Sequence, residues 1–188
     1  MGGMRYDLTC GYAITPTMDA SGGRQTMKTI IHDLGKEQSG RLAGAADRVI
    51  CADGRYAPCR GCFKCWTKHP AECEMKDALY RAGRVLGTTD DLTIITENCY
   101  GGYSAPVKNL LDRSIATSTP FSTYRGRQMH HTLRYGKRNC LHVIVYGEIS
   151  DAERGTLTLM AERNAVNMGF REHRITFCAD AEEAGGAA

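Results

Sequence analysis

Four cysteines are crowded into one short segment, where Cys59, Cys62, Cys65 and Cys73 form the pattern C-x2-C-x2-C-x7-C. Four thiolates at this spacing can ligate one [4Fe–4S] cluster. Zinc is an alternative, although four-cysteine zinc sites usually consist of two separated C-x2-C pairs, which this segment lacks. Reduced thiols without any metal are the third interpretation. The spacing therefore predicts metal or redox chemistry and leaves these three interpretations open.

The remaining cysteines are scattered, and the total of nine is odd. The first residues contain no apolar stretch of the kind found in a secretory signal. An odd number of cysteines without such a signal argues against a framework of disulfides. We therefore expect a protein of the reducing cytoplasm, with its scattered cysteines serving as small core residues.

A second segment with chemical potential covers residues 98–104 and reads NCYGGYS. Its glycines allow the backbone to approach a flat ligand, and its tyrosines can stack on one. Ser104 is a natural N-cap, and the amides of a helix N-terminus attract an anion or a negatively charged reduced ring. The segment predicts a site for a planar ligand, while an ordinary glycine-rich turn with two half-buried tyrosines fits the same residues.

The composition indicates one globular domain. The chain has 188 residues, of which 42% are hydrophobic and 24% charged, and its formal net charge is +3. The apolar fraction is too high for a disordered chain, and no apolar run reaches the roughly 18 residues of a membrane span. The small basic excess is spread along the sequence, so we expect binding to neither nucleic acid nor membranes.

Short β-branched runs alternate with segments of helical periodicity, which is typical of parallel βαβ units. The predicted strands are 29–33, 48–52, 92–97, 140–147 and 174–178. Helices are predicted over 75–86, after the N-cap Ser104, and from the capping box of Ser150 and Glu153 to Gly169. The stretch 116–139 is rich in polar and basic residues, and we expect it to be a long loop that serves as a lid or an interface.

These elements predict an α/β fold with three layers, in which a doubly wound, five-stranded parallel sheet has the flavodoxin-like order 2-1-3-4-5. The domain should cover residues 27–178, with an N-terminal extension at 1–26 and a disordered tail at 179–188. Ligands of such folds bind beyond the carboxyl ends of the strands. We therefore expect the segments 32–39, 53–73, 98–104 and 147–150 to converge on one edge of the sheet.

Several stretches resemble a known family. Residues 91–113 read DLTIITENCYGGYSAPVKNLLDR, which resembles the third strand, flavin loop and following helix of the flavodoxin-like NADPH-dependent FMN reductase superfamily. The upstream letters PCRGCFKCW and CEMKD resemble the cysteine segment of its iron–sulfur flavoprotein branch. Downstream, PFSTYRGRQMHHTLRYGKR resembles a long loop of other flavodoxin family members. The resemblance extends over most of the chain, from about residue 27 to residue 177.

The resemblance implies a non-covalently bound FMN that is reduced by NAD(P)H, in a homodimer or homotetramer with a small-molecule or protein electron acceptor. By position, the residues that would line the isoalloxazine ring are Asn98, Tyr100, Gly101, Gly102, Tyr103 and Ser104. The residues that would hold a [4Fe–4S] cluster are Cys59, Cys62, Cys65 and Cys73. No acid–base pair or nucleophile is evident, as expected where a cofactor carries the chemistry.

The segment after the first strand departs from the family pattern, whose phosphate loop is rich in serine and threonine. Residues 32–39 read HDLGKEQS, so Asp33 and Glu37 would repel a phosphate that Lys36 attracts only in part. The phosphate could instead be held by Gln38, Ser39 and Arg41, or by residues 15–24 if residues 25–34 were a helix. The competing interpretation is a non-enzymatic module with a degenerate flavin site, whose cysteines bind metal or sense redox state.

The stretch 116–139 and its flank carry a cluster of basic side chains. They are Arg125, Arg127, His130, His131, Arg134, Lys137 and Arg138. Such a cluster could receive the phosphates of NAD(P)H or contact a neighbouring subunit, although a solvated basic loop is the simpler interpretation. Two further histidines, His32 and His142, are predicted to be core residues of the first and fourth strands.

Overall fold

The computed structural model describes residues 26–188 and contains the predicted parallel sheet. Its five strands, in chain order, are β1 (Lys28–His32), β2 (Arg48–Cys51), β3 (Asp91–Glu97), β6 (Arg138–Tyr146) and β7 (Phe170–Cys178). Their spatial order is β2-β1-β3-β6-β7, and all neighbours are parallel. When only these five strands are numbered, this order is 2-1-3-4-5, so the predicted α/β class and strand order are confirmed. The predicted N-terminal extension lies outside the described residues except for Thr26.

Helices cover both faces of the sheet. They are α1 (Lys36–Leu42), α2 (Lys64–Thr67), α3 (Ala82–Gly87), α4 (Ala105–Arg113), α5 (Asp151–Met168) and α6 (Ala181–Gly186), with a 3-10 turn at Ile115–Thr117. One core cluster joins the sheet to α3, α4 and α5, and a second joins its other face to α1 and α6. The central strands β3 and β6 are apolar on both faces because each of these clusters draws side chains from them.

Helix α5 begins and ends as its sequence predicts. Ser150 accepts a hydrogen bond from the Glu153 amide, and the Glu153 side chain accepts one from the Ser150 amide, which completes the capping box. Gly169 ends the helix with φ 83°, in the left-handed region that glycine adopts at little cost. The predicted register in which residues 25–34 form a helix is wrong, because β1 occupies those positions.

The predicted helix over 75–86 is wrong in its first half, since α3 covers only its end. The cause is Asp77, whose carboxylate accepts hydrogen bonds from the amides of Leu79 and Ala57. It also forms an ion pair with Arg113, from Oδ1 to Nη2 at 2.6 Å. A short acidic side chain that binds nearby amides competes with the helical backbone for its donors. Leu79 is nevertheless buried, so the apolar spacing correctly indicated a buried side chain although no helix forms there.

The stretch 116–139, predicted to be a loop, contains an antiparallel hairpin of β4 (Ser118–Arg125) and β5 (Gln128–Leu133). Only two residues connect the strands, and the first of them, Gly126, has φ 59°. This conformation suits the tight turns of hairpins. The threonine and aromatic residues of STPFSTYR, which precede Gly126, were the available sequence signal.

The prediction of a disordered tail at 179–188 is wrong. The Asp180 side chain accepts hydrogen bonds from the amides of Glu182 and Glu183 and caps α6. Ala184 is fully buried and completes the core cluster beside Cys178. Within residues 26–188, no helix is long and apolar enough to cross a membrane.

Candidate functional site

A tight turn follows β3 at the carboxyl edge of the sheet. The amide of Cys99 donates to the carbonyl of Gly102, and the amide of Gly102 donates to the carbonyl of Cys99, both at 3.0 Å. The two residues between them, Tyr100 and Gly101, have φ values of 52° and 77°. A tyrosine rarely adopts this conformation. The turn leaves Tyr100 95% exposed, so its ring is free to cover a planar ligand.

Asn98 braces this turn. Its Oδ1 accepts a hydrogen bond from the Gly101 amide at 3.0 Å, and its Nδ2 donates to the Glu148 carbonyl at 2.8 Å. The side chain therefore ties the turn after β3 to the segment after β6. The two hydrogen bonds together fix the shape of the turn.

The second tyrosine of the segment points the other way. Tyr103 is 7% exposed and packs in the main core cluster, where its hydroxyl accepts a hydrogen bond from Asn164 Nδ2 at 3.0 Å. The prediction that its ring could stack on a ligand is therefore wrong. Only Tyr100, of the two, faces open space.

Ser104 stands immediately before α4, as predicted, but does not cap it. Its amide donates to Thr96 Oγ1 at 2.9 Å, and its buried Oγ has no partner among residues 26–188. The first backbone bond of the helix runs from the Lys108 amide to the Ser104 carbonyl. The N-terminus of α4 therefore lacks a side-chain cap, and its leading amides are suited to an anionic or electron-rich group.

The end of β1 is arranged differently from a phosphate loop. Both oxygens of Asp33 accept hydrogen bonds, from the Glu97 amide at 2.9 Å, the Tyr146 hydroxyl at 3.0 Å and Thr96 Oγ1 at 3.4 Å. Burial and the neighbouring Asp33 raise the pKa of Tyr146 well above its usual range, so the phenol stays protonated and donates. Lys36, the nearby cation, lies 3.4 Å from Asp53.

His32 is fully buried, which confirms it as a core residue. Its Nε2 lies 2.9 Å from Ser39 Oγ, and burial lowers its pKa, so the ring is neutral near pH 7. This contact occupies the hydroxyl of Ser39, one of the groups predicted to hold a phosphate. The half-buried His142 lies 2.9 Å from Thr176 Oγ1 in the same way.

All four clustered cysteines line a single cavity of about 210 Å³. Cys59 and Cys62 are exposed, Cys65 and Cys73 are half-buried, and all four are free thiols. Two residues between Cys59 and Cys65, Gly61 and Phe63, adopt left-handed conformations with φ of 62° and 53°. These conformations turn the chain sharply just before α2, so that Cys59 and Cys62, before the turn, and Cys65, within α2, line the same cavity.

Trp66 fastens the cysteine segment to the rest of the molecule. Its Nε1 donates to the Ile115 carbonyl at 3.1 Å, and its ring lies 5.0 Å from Phe63 and 4.6 Å from His131, measured between centroids. Phe63 lines the cavity, so the ring contacts of Trp66 connect the cavity wall to the hairpin. An apolar ring in that wall suits a redox group.

The part of the chain that the structure describes contains no preformed single-ion site. Among residues 26–188, no three His, Cys, Asp or Glu side chains come close enough to hold one metal ion. Zinc would draw each sulfur to about 2.3 Å from one centre. A [4Fe–4S] cluster binds each cysteine at a separate iron, so its ligands stand farther apart than those of a single ion.

Burial raises the pKa of Cys65, and the other three thiols raise it further.

The cavity and the turn after β3 lie at opposite ends of α4. The turn precedes the first residue of the helix, while Arg113, the last residue, lines the cavity. Nine residues of helix rise by about 13 Å. The prediction that the cysteines share the sheet edge with the turn is therefore wrong. The segment before the cysteines packs along α4 instead, as the hydrogen bond from the Tyr56 hydroxyl to the Pro106 carbonyl shows.

Three predicted members of the basic cluster are structural. Arg125 donates to the carbonyls of Val166, Asn167 and His131 and so attaches the hairpin to α5. Arg138 is buried, donates to the carbonyls of Met168 and Leu86, and lies over the Phe170 ring at 4.2 Å. Burial lowers the pKa of Arg138 to about 10. Arg134 donates to the Ala116 carbonyl. These guanidinium groups are occupied by backbone carbonyls.

Comparison with known proteins agrees with the resemblance predicted from the sequence. No family model matches the chain. An iron–sulfur flavoprotein of Archaeoglobus fulgidus is 27% identical over 103 residues, which are 55% of this chain and 50% of that protein. The chain thus matches about half the length of this curated relative.

Two solved structures are similar at low identity. The FMN-dependent NADH-azoreductase of Bacillus anthracis, solved with FMN, has a TM-score of 0.52 and 10% identity, with 87% of this chain and 97% of that chain covered. A putative quinone reductase of Klebsiella pneumoniae has a TM-score of 0.51 and 13% identity, with coverages of 86% and 81%. The chain therefore has the flavodoxin-like fold, and the predicted resemblance of its sequence to an iron–sulfur flavoprotein is confirmed.

Proposed function

We propose that the protein is an FMN-dependent NAD(P)H oxidoreductase or electron-transfer flavoprotein with a [4Fe–4S] cluster on Cys59, Cys62, Cys65 and Cys73. The observation that carries the proposal is the convergence of these four thiols on one cavity, at the far end of the helix that follows the candidate flavin turn. When bound, FMN would supply hydride acceptance and the cluster would supply one-electron transfer.

The turn after β3 fits the ring of a flavin. Tyr100 is free to stack on the ring, while Gly101 and Gly102 let the backbone approach it. The unpartnered Ser104 Oγ and the uncapped start of α4 offer polar groups toward the negative charge of a reduced ring. The residues proposed to act here are therefore Tyr100, Gly101, Gly102 and Ser104, with Asn98 holding the turn in shape.

The end of β1 does not fit the phosphate of FMN. Asp33 occupies the position with a carboxylate that already accepts three hydrogen bonds, and Lys36 is shared with Asp53. A like charge at this place weakens the attraction of a phosphate dianion. We therefore expect the ratio of FMN affinity to riboflavin affinity to be smaller than in a protein with an ordinary phosphate loop.

Replacing Asp33 with asparagine is expected to tighten FMN binding about tenfold, which equals about 1.4 kcal/mol. The side chain keeps an oxygen for the Glu97 amide, and the Tyr146 hydroxyl can accept from the new amide group. Only the charge is lost, so riboflavin affinity should not change. Flavin fluorescence titrations with both ligands measure the two effects.

Asp47→Asn is the matched control for this charge change. Asp47 accepts a hydrogen bond from the Lys28 amide at the opposite end of β1, so its loss should leave both flavin affinities unaltered. An equal gain in FMN and riboflavin affinity in the Asp33 variant would contradict the proposed repulsion.

We further propose a reducing, cytoplasmic setting and a homodimer or homotetramer. All eight cysteines within the described residues are free thiols, which suits a reducing compartment. The hairpin exposes Phe121, Tyr124 and Met129, by 73%, 75% and 66%, and such apolar side chains suit a subunit contact. The electron acceptor is a small molecule or a protein.

A second candidate function is a module that has lost its flavin and uses the cysteines for metal binding or redox sensing. The observation that favours it is the carboxylate of Asp33 at the phosphate position. It shares the cysteine cavity with the first proposal and differs from it only at the flavin site.

An ultraviolet–visible spectrum of anaerobically purified protein, with iron and sulfide analysis of the same sample, tests the proposal. We expect two flavin bands above a broad charge-transfer absorption, and about four irons and four sulfides per chain. Iron and sulfide without flavin, even after FMN is added, would favour the second candidate. Protein that takes up neither FMN nor iron would contradict the first proposal and would leave zinc binding or thiol redox sensing as the role of the cysteines.

A further inference from the structure

Arg113 is a buried arginine at the C-terminal end of α4. It is 2% exposed, and its guanidinium forms a two-pronged ion pair with Asp77, with Nη1 to Oδ2 at 2.8 Å and Nη2 to Oδ1 at 2.6 Å. Nη1 also donates to the Ala57 carbonyl at 2.7 Å, and Nη2 donates to the Met75 carbonyl at 3.3 Å. All four hydrogens of the terminal nitrogens are therefore in use.

The fifth N–H of the same guanidinium is not. Nε of Arg113 is buried and has no hydrogen-bond partner among residues 26–188. A buried donor without an acceptor is costly, so such groups usually serve a ligand or another group that binds there. Because arginine carries its donors in a rigid fork, the four occupied hydrogens fix the direction of this fifth one.

The same side chain lines the cysteine cavity and lies beside Cys73. Burial alone would lower the pKa of Arg113, but the Asp77 carboxylate and the Cys73 thiol beside it raise that pKa above its usual value. The guanidinium is therefore charged, close to one of the four thiols, and holds one unused donor.

We propose that Arg113 is a positioning residue for the iron–sulfur cluster, whose free Nε–H donates to the Cys73 sulfur and raises the cluster's reduction potential. This inference rests on the proposed cluster site. Hydrogen bonds to ligand sulfurs stabilise the more negative, reduced state of such a cluster. Asp77 acts in the opposite direction, because its carboxylate offsets the charge of the arginine.

Two substitutions separate this role from a merely structural one. Arg113→Lys keeps a positive charge but lacks the fork and the Nε–H, so we expect a lower reduction potential. Asp77→Asn leaves the arginine in place and removes the offsetting carboxylate, so we expect a higher potential. Each shift should change the ratio of reduced to oxidised cluster at a fixed potential by about tenfold, or about 59 mV for one electron.

The experiment is an anaerobic redox titration of full-length protein, with iron and sulfide measured in every sample. Arg163→Lys is the control, since Arg163 is an exposed arginine of α5 that does not line the cavity. The reduction potential of the cluster in this variant should equal that in the unaltered protein. Opposite shifts in the two test variants, with full iron content, support the proposal. If Arg113→Lys does not fold, an unchanged or lower potential in Asp77→Asn would still contradict the proposal.

Two results would overturn the inference and differ in what they say about the proposed function. Unaltered protein without iron and sulfide would remove the cluster and this role together. Protein with an intact cluster whose potential is unchanged in both variants, or shifts in the same direction in both, would remove only the role of Arg113.

Discussion

Cys73→Ser is expected to abolish the broad visible absorption of anaerobically purified protein and to reduce its iron content from about four per chain to less than one. Cys73 is one of the four thiols that line the cavity, and it is half-buried beside Arg113. A cluster that loses one thiolate loses a ligand to one of its irons, and the remaining thiols cannot fill that corner. Visible spectra and iron and sulfide analysis give the result.

Cys59→Ser should have the same effect from the exposed side of the cavity. Cys140→Ser is the matched control, because Cys140 is half-buried in β6 and does not line this cavity. Circular dichroism should show an intact fold in all three variants. Full iron content in either Cys59→Ser or Cys73→Ser would show that the predicted ligand set is incorrect.

The second large effect is a loss of stability on replacing Gly169 with alanine, by about 2–4 kcal/mol of unfolding free energy. Gly169 ends α5 with φ 83°, where any other residue is strained. A methyl group there would also lie 2.3 Å from Leu133 Cδ1 of β5. The Leu133 side chain, to which the three nearest atoms belong, would have to shift to accommodate it. Urea unfolding monitored by circular dichroism measures the change.

The matched control lies in the same helix. Gly155 has an ordinary helical φ, and a methyl group added to it would contact nothing within 4 Å. Gly155→Ala should therefore stabilise the protein by about 0.5–1 kcal/mol, because alanine has the higher helix propensity. Equal effects of the two substitutions would show that neither the left-handed turn nor Leu133 matters for stability.

The parallel sheet and α5 could be predicted because their signals are local. The strands are β-branched runs such as Thr93-Ile94-Ile95, and α5 carries its start at Ser150 and its end at Gly169 within its own sequence. Such patterns depend on neighbouring residues alone. The order of the strands followed from the right-handed crossovers and from the size of the domain.

The helix predicted over 75–86 failed because its competitor is distant in sequence. Asp77 binds Arg113, thirty-six residues away, and the Ala57 amide, twenty residues away, and no local pattern reveals these pairings. The opposite directions of Tyr100 and Tyr103 were also hidden, since they depend on a two-residue turn with two left-handed conformations. The glycine at 101 was a signal for that turn, whereas Tyr100 was not.

The cysteine motif could be recognised from its spacing, but its position could not. Sequence order after β2 placed it at the sheet edge, whereas side-chain bonds to α4 carry it along the helix. The same bonds explain why Arg113, which the sequence did not single out, lies in the cavity wall. A guanidinium that binds two backbone carbonyls and a carboxylate leaves no trace in residue spacing.

Helix α4 also gives electrons a preferred direction between the two proposed sites. Its aligned peptide dipoles make the end at the flavin turn partly positive and the end at the cysteine cavity partly negative. An added electron would therefore be favoured beside Tyr100 and disfavoured beside Cys73, so the helix alone would oppose flow from a bound flavin to a bound cluster. Arg113 is the last residue of α4, so its positive charge lies at the cysteine-cavity end and offsets the partly negative end of the helix dipole there.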